Sequence, residues 1–145
     1  MARTAKVTGD RQLRRTLARL DDKVQKKLLR QAVQASSKPV VKAARNAAPV
    51  ETGTLKRSIG VKMKIYKRQA TAMAIVGPRT GFGFTDDDGV RHDPANYGHL
   101  VEGGTVYQGA QPFVRPALHN NRGAINAALR NKLSAGIKKA ATSKT

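Results

Sequence analysis

The stretch from Tyr97 to Ala117 restricts the fold of this chain more than any other. It holds the adjacent glycines Gly103 and Gly104, then Pro112 and Pro116 with three residues between them. A glycine pair frees the backbone to take positive φ. Each proline holds the residue before it extended. Between the prolines stand Phe113, the last aromatic of the chain, and Arg115. Such a run predicts a rigid corner that feeds a C-terminal helix.

Upstream, Leu13, Leu17, Leu20, Val24, Leu28, Ala32 and Ala35 recur by threes and fours. That spacing makes one apolar helical stripe, available to a partner helix or a neighbouring subunit. Asp10 is a candidate N-cap. Asp21-Asp22 either breaks the pattern and caps a second helix or faces water. The break is preferred, with helices over about 10–20 and 22–47. Pro39 lies inside the second pattern, so the helix bends or restarts there. Pro49 ends it, and Thr52 or Thr54 caps a single turn. Ile59, Val61, Met63 and Ile65 then alternate with Gly60, Lys62, Lys64 and Tyr66. Period two with one polar face is a half-buried antiparallel strand. Residues 67–70 turn and 71–77 return, which makes a hairpin.

From 78 to 96 the periodicity vanishes into a long polar loop containing Asp86-Asp87-Asp88. Such a loop is usually functional or disordered. Residues 97–102 fit a helical turn or a short strand equally well. Val106-Tyr107 predicts the start of a third strand. Leu118, Ile125, Leu129, Leu133 and Ile137 carry a helix from Pro116 to about 137, weakened by Gly123 and Gly136. The expected class is α+β. A long N-terminal helical segment and a C-terminal helix pack on a small antiparallel sheet, a hairpin plus a short third strand. At 145 residues one domain is expected, over 1–145, with loose basic ends at about 1–9 and 139–145.

Charge narrows the functional classes. The chain carries 28 Lys/Arg against 9 Asp/Glu, a net of +19. Residues 1–45 hold 13 basic against 3 acidic side chains, 46–114 hold 8 against 6, and 115–145 hold 7 against none. Basic ends point to a polyanion or an acidic protein nearby. Arg11, Arg14, Arg15, Lys26, Lys27, Arg115, Lys138 and Lys139 are the candidates for facing DNA or a neighbouring subunit. With no cysteine there is no disulfide, thiolate metal site or cysteine nucleophile. No apolar run approaches the roughly 20 residues of a membrane span, and the N-terminus lacks an apolar signal core. A cytoplasmic origin and no membrane partner are expected.

Chemistry is sparse. His92, Asp93, His99 and Glu102 are ligand types without a ligand spacing. Asp86 to Asp88 lack the alternation of a calcium loop. Gly81-Phe82-Gly83 is a fragment of a dinucleotide fingerprint that opens no helix. No nucleophile elbow or Walker loop occurs, and Ser58 has no histidine partner in sequence. No catalytic residue, metal or cofactor is expected, and the chain reads as a non-enzyme. A metal-dependent nuclease using Asp86 to Asp88, His92 and His99 ranks lowest. The basic excess alone predicts phosphate contact without base reading, so a small nucleic-acid-binding protein is the alternative.

Two blocks combine into a family resemblance. Ala48-Pro49-Val50-Glu51-Thr52-Gly53-Thr54-Leu55-Lys56-Arg57-Ser58-Ile59 resembles a signature of the head–tail joining, or tail-completion, proteins of long-tailed phages. The second block is Tyr97, then Val101-Glu102-Gly103-Gly104-Thr105, then Pro112-Phe113-Val114-Arg115-Pro116-Ala117. The likeness covers roughly residues 10–130. Gly103 stands where many relatives have an aromatic, and the 78–96 loop is longer than usual. The resemblance implies a structural virion protein, a ring in the neck between portal and tail tube. Its implied partners are copies of the same chain, a head-closure or portal-side protein, a tail terminator and genomic DNA in the channel. The implied fold-holding residues are Pro49, Thr52, Gly53, Leu55, Ser58, Tyr97, Glu102, Gly104, Thr105, Pro112, Phe113 and Pro116. Glu102 is expected to accept from the Gly104-Thr105 backbone or to pair with a basic residue.

Overall fold

The computed structural model describes residues 11–66 and 71–142, apart from the side chains of 12–14. Six helices and four strands follow in order among these residues. They are α1 (Arg11–Ala18), α2 (Asp22–Ala47), α3 (Thr54–Ser58), β1 (Ile59–Tyr66), β2 (Thr71–Pro78), β3 (Phe84–Thr85), β4 (Arg91–His92), α4 (Pro94–Gly103), α5 (Val114–Asn120) and α6 (Arg122–Thr142). The class is α+β, as expected. Of the expected loose ends, 139–142 form the last turn of α6 and the remainder lies outside the described residues.

Helices α1 and α2 part at the expected place. Asp21 caps α2 by accepting from Lys23 N at 3.1 Å, and Asp22 sits in the first turn beside Lys26. A carboxylate there complements the helix dipole. Pro39 neither stops nor restarts α2, which runs through it. Proline offers no N–H to the carbonyl four residues back. Just before it, Ser36 and Ser37 turn inward, their hydroxyls donating to Val33 O and Gln34 O at 2.8 and 2.7 Å.

Two clusters make the core. Leu17, Ala32 and Leu133 form one, flanked by Leu20, Leu29, Leu129 and Ile137. Leu17, Leu20 and Ala32 of the apolar stripe, together with Leu29, are therefore covered by α6 of the same chain, while Val24 stays exposed. The larger cluster joins Val40, Ala44 and Ala48 of the α2 end to Leu55, Ile59, Phe113, Ala117 and Ile125. Alanine keeps this end of α2 thin, so the hairpin and α5 approach closely.

At Gly136 the two helices α2 and α6 pass close together. A Cβ there would overlap the Leu28 Cδ2 methyl, whereas a Cβ on Gly123 meets nothing within 4 Å. Gly136→Ala is expected to destabilise by about 1–3 kcal/mol, because overpacking outweighs the gain in helix propensity. Gly123→Ala should instead stabilise by about 0.5 kcal/mol. Urea denaturation of both variants reads the opposite signs.

Strands β1 and β2 pair antiparallel from Ile59↔Pro78 to Tyr66↔Thr71. Ile59 is fully buried, Val61, Met63 and Ile65 are half-buried, and Lys62, Lys64 and Tyr66 are exposed. The 67–70 turn lies outside the described residues. The expected third strand at Val106-Tyr107 is not formed, since those residues lie in a bend. A second two-stranded ribbon appears instead within the 78–96 loop, with Phe84 opposite His92 and Thr85 opposite Arg91. Residues 97–102 belong to α4. The expected single C-terminal helix is two, α5 and α6, parted at Asn121. The Asn121 side chain donates to Ala117 O at 2.8 Å, and its carbonyl accepts from Ile125 N at 2.9 Å.

Candidate assembly interface

Helix α4 starts where Asp93 accepts from Ala95 N at 3.1 Å and Pro94 takes the first turn. It ends at Gly104, whose φ of 77° only glycine adopts readily and whose N donates to Leu100 O at 2.8 Å. A Cβ at that position would also stand 2.7 Å from Ala110 N.

Glu102, on the last turn of α4, faces the start of α5. Its Oε2 accepts from Phe113 N at 2.8 Å and Val114 N at 3.0 Å, and its Oε1 accepts from Arg115 N at 2.9 Å. These are donors that a helix N-terminus leaves unpaired, and negative charge is favoured there. The expected acceptance from Gly104 and Thr105 is therefore corrected. Helix α4 extends far enough to aim the carboxylate across the loop, and its own carbonyls satisfy Gly104 N.

The loop between α4 and α5 is braced at base and tip. Gln111 N donates to Val101 O at 2.9 Å, and Thr105 N donates to Gln108 O at 2.8 Å. Thr105 Oγ1 accepts from Tyr107 N at 3.3 Å and Gln108 N at 3.1 Å. The braced tip holds Val106 and Tyr107 at 96% and 99% exposure. Two large apolar side chains thus stand side by side in water on an ordered turn. Phe113 stands at the other extreme, 1% exposed in the main core.

The two sequence blocks meet in that core. Leu55 and Ile59 of the first share a cluster with Phe113 and Ala117 of the second, with Tyr97 and Val101 packed on its margin. Burial pushes the Tyr97 phenol above its ordinary value, and the Asp93 and Glu51 carboxylates push it further. In the first block Pro49 is half-buried after the α2 end. Gly53, at φ 75°, is the N-cap of α3. Thr52 Oγ1 donates to Thr54 Oγ1 at 3.0 Å and accepts from Thr54 N at 3.4 Å. Ser58 is wholly buried and donates to Leu55 O at 2.7 Å. Pro112 is exposed and Pro116 half-buried.

The basic candidates do not converge. Arg11, Arg15, Lys27, Arg115, Lys138 and Lys139 are exposed, Lys26 pairs with Asp22, and the Arg14 side chain lies outside the description. The structure instead gathers Lys38, Lys42, Arg45, Lys56 and Arg79 around one open groove of about 530 Å³. The 38, 42, 45 spacing on one helix was the available signal, but Lys56 and Arg79 reach the groove only through the tertiary fold.

Asp86 is a turn-holder. It accepts from Asp88 N at 3.1 Å, Val90 N at 2.8 Å and His92 Nε2 at 2.7 Å, while the His92 ring stacks on Phe84 at 5.2 Å. Among the described residues no three metal-ligating side chains cluster. The His92 hydrogen bond, followed by that from Val90 N, holds the Asp86 carboxyl below its ordinary value. A depressed carboxylate stabilises above the unfolded pKa and loses that contribution as pH falls through the folded one. The β3–β4 ribbon is therefore expected to loosen below about pH 4. Amide exchange at Val90 over that range reads it, and Asp86→Asn should loosen the ribbon already at pH 7.

A family model described as "Bacteriophage HK97-gp10, putative tail-component" matches residues 11–104. The match spans well over half of the chain, includes the first block and ends at Gly104, before Pro112–Ala117. No curated protein and no solved structure matches the chain.

Proposed function

Because the chain belongs to the HK97-gp10-like family of phage tail components, we propose that it forms a ring at the head–tail junction and joins or completes the tail there. Its neighbours in this reading are further copies of itself, a head-closure or portal-side protein and a tail terminator. The observation that carries the reading is the braced loop with Val106 and Tyr107 in open solvent. A ring subunit needs an ordered apolar contact, and tyrosine is favoured at such contacts. The interface role of Arg115, beside this loop, belongs to the same proposal. The basic ends touch genomic DNA through phosphates, without reading bases. Its place is the virion neck, after synthesis in the host.

Native mass spectrometry tests this. The wild-type chain, alone or with neck proteins, is expected to give a discrete oligomer. Val106→Ser combined with Tyr107→Ser should abolish the oligomer while leaving the melting temperature within about 2 °C, since exposed substitutions cost little. A wild-type chain that stays monomeric, joins no neck protein and is absent from purified virions would sink the proposal.

A further inference from the structure

The basic groove lies along one face of α2, where Lys38, Lys42 and Arg45 follow at helical spacing. Lys56 of α3 and Arg79, just past β2, close it from the other side. No acidic residue lines it. Two of its cations are held in place. The Arg45 guanidinium donates to Ile59 O from Nε at 3.1 Å and from Nη2 at 2.8 Å. The Arg79 stem lies across Gly60, where a Cβ would stand 2.6 Å from Arg79 Cδ. Glycine at position 60 leaves the space that this side chain fills. Among the described residues the ion pairs are Lys26–Asp22 and His92–Asp86, and neither involves the groove. Five like charges lining one groove repel one another, so an anionic occupant relieves it.

The same chain carries a complementary element. The β3–β4 ribbon turns tightly, with Gly89 N donating to Asp86 O and Asp86 N donating to Val90 O, both at 3.0 Å. Asp86 is occupied by the turn. Asp87 and Asp88 are exposed at its tip. A narrow turn with two exposed carboxylates is complementary in charge to an open groove lined by five cations and no acid.

We infer that the Asp87-Asp88 turn of one copy docks in the Lys38–Lys42–Arg45–Lys56–Arg79 groove of the next. The inference rests on the ring reading above and gives it a second contact. Tip and groove are different surfaces, so the contact is head-to-tail. Interfaces of that kind close into rings when the rotation between subunits allows. Its two partners are charged and partly exposed, so it weakens as salt rises.

Charge reversal tests the pairing. Asp87→Lys with Asp88→Lys reverses the tip, and Lys38→Glu, Lys42→Glu and Lys56→Glu together reverse the groove, leaving three carboxylates against Arg45 and Arg79. All five residues are exposed, and circular dichroism confirms that each variant is folded. In native mass spectrometry each variant alone is expected to lose the wild-type oligomer. An equimolar mixture should regain it, because reversed tip meets reversed groove and native tip meets native groove. If both variants assemble as the wild type does, the pairing is overturned and the ring reading survives. If the tip variant assembles normally while the groove variant alone loses DNA binding, the groove is a phosphate site and the pairing is again overturned. A wild type that is monomeric alone, with neck proteins and in virions overturns both readings.

Discussion

Glu102→Ala is expected to lower the free energy of unfolding by about 3 kcal/mol. The carboxylate accepts from three consecutive backbone donors, Phe113, Val114 and Arg115. A hydrogen bond to a charged group contributes about 1.5–3 kcal/mol, and donors stripped of their partner carry a desolvation penalty as well. The three bonds share one group, so their contributions do not add in full. For a chain of this length the change lowers the melting temperature by about 10 °C. Glu102→Gln keeps the size but turns one acceptor into a donor that faces backbone N–H groups, so it should recover little. Glu102→Asp loses one methylene of reach across the loop and should fall close to alanine. Equilibrium urea unfolding of the three variants checks the order. A loss under about 1 kcal/mol for alanine would mean that water or a neighbouring donor set replaces the clasp.

Phe113→Ala should cost more, about 3–5 kcal/mol, the range for truncating a buried aromatic. The ring is 1% exposed and belongs to one cluster with residues from α2, α3, β1 and α6. Domains of this size have only about 5–15 kcal/mol in total. The variant therefore stands near the edge of folding at 37 °C. Phe113→Leu retains most of the apolar area and should recover over half of the loss. Thermal melts followed by circular dichroism distinguish the two, and equal melting temperatures would show that the ring itself is not what the core needs.

Residues with a regular period were readable in the sequence, and those held by long-range bonds were not. The stripe from Leu17 to Ala32 and the alternation from Ile59 to Tyr66 each appear as the element their period predicts. Asp21 caps α2, as its place at the break predicts, because its carboxylate acts within two residues. The failures have a common cause. Val106-Tyr107 has β-favouring side chains, but the Thr105–Gln108 turn leaves no length for a strand. The β3–β4 ribbon is two residues a side, too short for any period, and rests on Asp86 bonding to His92. Glu102 reaches residues eleven to thirteen positions ahead, a distance at which local pattern carries no information. The groove cations are likewise gathered by the packing of β1 and β2 on α2.

The clasp at Glu102 also decides where a mechanical load would travel. The loop that carries Tyr107 is tied at its base by Gln111 to Val101 and by Glu102 to the first turn of α5. A pull on the tip lengthens the loop only after these bonds break. Tension enters both α4 and α5 at once and passes through Phe113 to Ala44 and Ile59 of the main core. Stretched from this loop, the protein should resist as a single mechanical unit, with one force peak for the core instead of an earlier, softer one for the loop.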